Sequence, residues 1–104
     1  MARLSDPTVL PALIDATWDL YNEAEEPEKS RLAGKLQELH QQLTRLTDAT
    51  LDPEQQAYKD AVTKIQNATK RVMQSQKNQA QVGSAIDQIA SVISVLGKLG
   101  SAVI

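Results

Sequence analysis

Side chains that could ionise, ligate or attack fall into three groups in this chain. Asp15, Asp19 and Glu23 recur at i, i+4 and i+8, which puts three carboxylates on one face of a helix. Such a row attracts cations, yet a hard cation asks for six or more oxygens from several directions, and one helix face offers a single side of that shell. No metal is expected. Lys59, Lys64, Lys70, Arg71 and Lys77 form a basic stretch that could meet phosphates. It has no interleaved aromatic rings for base stacking and the chain as a whole carries a net charge of -2, so nucleic-acid binding is not expected.

The third group is a single imidazole. His40 is the only histidine and there is no cysteine, so neither a His/Cys ligand set nor a His-driven nucleophile can be assembled. Gly34, Gly83, Gly97 and Gly100 make no phosphate-cradling loop, and no serine sits in a Gly-flanked elbow. Catalytic residues, a cofactor and a small-molecule substrate are all expected to be absent, which leaves association as the expected activity.

Composition narrows the fold. With aromatic residues at 3 % and no Phe, the core of these 104 residues must be aliphatic, built from Leu, Ile, Val and Ala, which favours helices packed in one domain over a sheet sandwich. Ser5 or Asp6 before Pro7 are candidate caps for a first helix whose inner face is Leu10, Leu13, Ile14, Thr17, Leu20, Tyr21 and Ala24. Trp18, four residues after Ile14 and three before Tyr21, reads as a core or core-edge ring, and only exposure would make it a binding anchor. Pro27 opens a second helix with a leucine seam of Leu32, Leu36, Leu39, Leu43 and Leu46, and His40 lies at the edge of that seam as a boundary residue. Asp52, Pro53 and Gln55 resemble a capping box, and the third helix they start has a seam of Tyr58, Val62, Ile65, Thr69 and Val72.

Beyond Gln74 the pattern turns polar until Gly83 and Ser84. An unbroken helix over 53–100 would be roughly 72 Å long, against about 30 Å for each of the first two, and half of it would stand uncovered. A break at Gly83, with Ser84 as cap and Asp87 three residues later, lets the tail fold back as a fourth helix. The expected architecture is therefore all-α: a small antiparallel bundle of three or four helices at about 9–25, 27–47, 53–80 and 85–99, forming a single domain over 1–104.

The segment 82–104 holds thirteen apolar residues and seven Gly or Ser, with only Asp87, Gln88 and Lys98 besides, so it concentrates the chain's burial demand. Ile86, Ile89, Ile93 and Leu96, continued by Val103, form an apolar ridge. Gly83, Ala90, Ser94, Gly97 and Ser101 recur along another face where a second helix could approach closely. Ile86, Ile89, Ile93, Leu96 and Gly97 are the expected interaction residues. The expected function is a non-enzymatic helical assembly protein that self-associates, or binds another helical protein, through this C-terminal helix. Two alternatives remain: a peripheral membrane-surface binder through the same helix, and an adaptor or regulator of one specific protein. A transmembrane span is not expected, because the uncharged run 88–97 covers about 15 Å of a ~30 Å hydrocarbon core.

Charge is unevenly spread. Residues 1–58 carry five basic and eleven acidic side chains, whereas 59–104 carry six and two. The plain consequence is a set of solvated faces that guide which helices lie side by side; the sharper one is an electrostatic docking patch. With no disulfide chemistry and no secretory pattern in 1–11, the cytoplasm is the default expectation.

Overall fold

The computed structural model describes residue 4 and residues 6–47 and 55–101, and among them every regular element is helical. The helices are α1 (Leu10–Glu23), α2 (Glu28–Thr47), α3 (Gln56–Ser75) and α4 (Val82–Ser101), with a short 3-10 turn, Gln79–Gln81, ahead of α4. The chain is thus an all-α bundle of four helices.

They stand at the corners of a square. α1 neighbours α2 and α3, α4 neighbours the same two, and the α1/α4 and α2/α3 pairs lie across the diagonals. Direction follows from three contacts between distant residues. The Tyr58 hydroxyl accepts the Leu4 amide at 2.7 Å and the Gln76 side-chain amide donates to the Ala16 carbonyl at 3.3 Å, so α1 and α3 run the same way. The Arg45 guanidinium donates to the Leu96 carbonyl at 3.1 Å, which joins the C-terminal ends of α2 and α4. Antiparallel hairpins α1/α2 and α3/α4 therefore pack side by side.

The apolar seams close on a common core. In α1, Leu10, Leu13, Ile14, Thr17, Leu20 and the following Ala24 are buried as the spacing predicts, and Tyr21 is half-buried beside them. Thr17 is tolerated there because its hydroxyl donates to the Leu13 carbonyl at 2.7 Å. Leu32, Leu36 and Leu39 of the α2 seam are buried and Leu43 packs against the core; the side chain of Leu46 is not described. The α3 seam is turned slightly from its expected line. Tyr58, Ile65 and Val72 are buried, but Ala61, Ala68 and Ser75 are buried too, whereas Val62 and Thr69 are half-buried.

Boundaries differ where local capping decides them. Asp6 caps a turn ahead of α1, its carboxylate accepting the Thr8 amide at 2.9 Å and its carbonyl the Val9 amide at 2.9 Å, so the helix itself starts only at Leu10 with Pro11 in its first turn. α2 begins one residue after Pro27, where the Glu26 carboxylate accepts the Ser30 amide at 2.7 Å. The Asp52–Pro53 box lies outside the described residues.

The largest shift concerns the break before the tail. α3 ends at Ser75 rather than near residue 80, and α4 already includes Gly83 and Ser84. The turn is made by Asn78, whose side-chain oxygen accepts the Ala80 amide at 3.1 Å, and by the Ser75 hydroxyl, which lies 2.9 Å from the Arg71 carbonyl and 3.1 Å from that of Gln81. An Asx turn and a helix-closing serine reverse the chain without any glycine.

Candidate functional site

The apolar ridge of α4 is used inside the chain. Ile86, Ile89 and Leu96 are at most 2 % exposed, together with Val82, Ala85 and Val92 of the same helix, and Ile93 packs against the core from its edge. A helix that folds back on its own bundle satisfies its burial demand there, so three of the five expected interaction residues face this chain's own core. Gly97 is partly exposed, and a Cβ built on it would meet nothing within 4 Å. The outward side of α4 presents Ser84, Asp87, Ser94 and Lys98. By length and composition Val82–Leu99 could cross a membrane, a test that the core helix of a soluble bundle also passes.

The exposed chemistry lies elsewhere, between α1 and α2. Trp18 is 44 % exposed and Met73 56 %, the two large apolar side chains that stand out at the described surface. Trp18 follows Thr17, which points inward, so one step of 100° turns the indole to the α2 side of α1 and out of the core. It meets the Tyr21 ring edge-on, with centroids 5.6 Å apart and planes at 88°. Lys29 sits over Tyr21 at 5.1 Å from the ring centroid and closes that end of the arrangement. Across from the rings α2 offers Ala33, Leu36, Gln37 and His40. The small Ala33 side chain leaves an open groove of about 250 Å³ between the two helices. Beyond His40 a separate, open patch on α2 is lined by Gln37, Gln41, Thr44 and Arg45.

Outside the groove, the exposed side of α1 is acidic. Asp15 precedes Trp18 by one helical turn, Asp19 follows Asp15 by another, and both are exposed with no ion-pair partner among the described residues. At the α1/α2 turn Glu23, Glu25, Glu26 and Glu28 surround a second depression beside Val82. Glu26 is already engaged: the Ser30 hydroxyl and amide donate to it and hold its carboxyl below the usual glutamate value. Among the described residues no cluster of three His, Cys, Asp or Glu side chains could hold a metal ion.

The basic stretch also has a distinct shape. Lys70 and Met73 are exposed on the solvent side of α3 and Lys77 is exposed in the turn that follows it, and neither lysine pairs with a described carboxylate. The acidic row of α1 and the basic row of α3 thus lie on neighbouring helices without neutralising each other.

Spacing alone reads Trp18 as a core or core-edge ring and His40 as a boundary residue; the structure leaves Trp18 exposed and brings the two to one groove. The available signal was the company Trp18 keeps, with Asp15, Asp19 and Asn22 on the polar side of the same helix. No protein-family model matches this chain, and neither the curated proteins nor the solved structures compared with it contain a match.

Proposed function

We propose that this chain is a non-enzymatic helical interaction protein whose contact surface is the α1/α2 groove centred on Trp18. The observation that carries this reading is the 44 % exposure of the one tryptophan, set against Tyr21 at the mouth of an open groove. Tryptophan and tyrosine give large contact area for few frozen rotors, which is why they anchor interfaces. An isolated exposed indole is unremarkable on its own. Here it is braced by Tyr21, backed by Leu36 and bordered by an imidazole, so a partner side chain would meet a fixed wall.

Charge selects the occupant. The groove suits an amphipathic helix that sets an apolar side chain against Trp18, Tyr21 and Leu36, with lysine or arginine turned to the exposed α1 side of Asp15 and Asp19 and away from Lys29 and Arg45 at the groove's ends. Association through α4, the first expectation, has less to offer a partner, because the ridge of Ile86, Ile89 and Leu96 is committed to the core. The membrane-surface alternative meets the same difficulty, since the outward residues of α4 are serine, aspartate and lysine.

The test is calorimetric titration with a synthetic Lys/Leu amphipathic helix and its Glu/Leu counterpart. The basic peptide should bind with saturable heat, the acidic one should not, and Ala33→Lys, which puts bulk and a like charge at an exposed position on the groove wall, should weaken binding about tenfold or more. Equal binding of both peptides, or no effect of Ala33→Lys, would remove the groove from consideration.

A further inference from the structure

We infer that Met73 is a modification site of the folded bundle, a thioether that accepts one oxygen atom from a peroxide and accepts it fastest from an anionic one drawn in by Lys70 and Lys77. The site lies on α3 and in the turn after it, apart from the α1/α2 groove, and stands or falls independently of the groove reading.

Exposure is the first requirement. Met73 is 56 % exposed, more open than Trp18 at 44 %, while Ile65, Ala68, Val72 and Ser75 supply the buried side of the same helix. An oxidant therefore reaches the thioether without unfolding, and a sulfoxide there disturbs no core contact. Nucleophilicity is the second requirement. The chain has no cysteine, so the polarizable sulfurs of Met1 and Met73 are its softest nucleophiles.

The reaction is an oxygen-atom transfer. A sulfur lone pair attacks the outer oxygen of the peroxide, so the S–O bond forms as the O–O bond breaks. The proton on the transferred oxygen passes to the leaving one, which departs as water from hydrogen peroxide or as hydrogen sulfate from peroxomonosulfate. The thioether is oxidised by two electrons and the peroxide is reduced by two.

Charge separates the two oxidants. Residues 61–86 include Lys64, Lys70, Arg71 and Lys77 and no Asp or Glu. Lys70 is exposed one helical turn before Met73, Lys77 is exposed in the turn after the helix, and neither pairs with a described carboxylate. Such a field concentrates a small anion near the thioether and leaves a neutral molecule indifferent. Asp15, Asp19 and Glu23 on the neighbouring α1 pull the other way, and the response to salt reads the balance.

The experiment is peptide mass mapping of the full chain after timed exposure to hydrogen peroxide or to peroxomonosulfate, at low and high salt, beside N-acetylmethionine amide. Hydrogen peroxide should add one oxygen atom to the Met73 peptide at a rate within about threefold of the free compound at either salt. Peroxomonosulfate at low salt should react with Met73 about twofold or more faster than with the free compound, an excess that high salt removes. Lys70→Glu combined with Lys77→Glu should abolish that excess and leave the hydrogen peroxide rate unchanged. Circular dichroism of the oxidised chain should show parental helicity and melting, and Met73→Leu should take up no oxygen in that peptide. Oxidation of Met73 about tenfold or more slower than the free compound, or oxidation accompanied by loss of helicity, would overturn the exposed site. The same salt response for both oxidants, or a charge-reversed variant that keeps the excess, would overturn the role of the two lysines.

Discussion

The Trp18 indole stands edge-on to the Tyr21 ring, 5.6 Å between centroids, on a helix whose Leu10, Leu13, Ile14 and Leu20 are all buried. Tyr21 bridges the two environments, half-buried against the core on one side and carrying Trp18 on the other. The pair therefore separates what α1 contributes to folding from what it offers at the surface.

That separation is measurable in stability. Leu20→Ala removes a fully buried side chain and should cost about 2–5 kcal/mol, whereas Trp18→Ala should cost about 1 kcal/mol, the worth of an edge-to-face contact and a partly covered ring. Urea unfolding of the two variants provides the comparison. A loss for Trp18→Ala as large as that for Leu20→Ala would make the indole part of the core.

Tyr58→Phe probes the tie between residue 4 and α3. The phenol oxygen accepts the buried Leu4 amide at 2.7 Å, and its removal leaves that amide without a partner at a cost of about 1–3 kcal/mol. Unfolding by denaturant should register the loss with little change in helical content.

Glycine positions distinguish the two candidate surfaces. Gly34 and Gly97 lie inside α2 and α4, neither has a positive φ, and an added Cβ would meet nothing within 4 Å. Gly34→Ala and Gly97→Ala should each stabilise the fold by about 0.5–1 kcal/mol. Gly97→Ala should also leave binding of the Lys/Leu peptide unchanged. If it abolished that binding, the small-residue face of α4 would be the contact surface in place of the groove.

Acid should loosen the start of α2. The Ser30 hydroxyl, and after it the Ser30 amide, favour the charged Glu26 carboxylate and depress its pKa, so its contribution is complete above the ordinary value of about 4.5 and is lost as pH falls through the lower folded value. Asp6, held low by the Thr8 amide and hydroxyl, acts in the same direction. Glu26→Gln should flatten part of the decline in urea midpoint below that pH and leave the neutral-pH slope untouched.

The inner faces of α1 and α2 are legible in the sequence because Leu, Ile and Thr at helical spacing have no other competing pattern there. The turn before α4 is less so. Val72, Ser75, Gln79 and Val82 continue the three-four repeat in phase with Ile86 and Ile89, so periodicity cannot reveal the break, and glycine draws attention to Gly83 when Asn78 and Ser75 make the turn. The apolar ridge of α4 is visible from sequence alone, but whether it covers the chain's own core or another molecule depends on that turn. Trp18 escapes for a related reason: hydrophobic spacing locates a ring within about one residue of a seam, and one residue is the difference between core and surface.

The most direct measurement is the fluorescence and acrylamide quenching of Trp18, the single tryptophan, followed as the Lys/Leu helix is titrated into the protein. The groove account predicts red-shifted emission and ready quenching in the free protein, then a blue shift and protection that saturate with the calorimetric binding. Emission that is blue-shifted and protected in the free protein, or that stays red-shifted while the peptide binds, would contradict it.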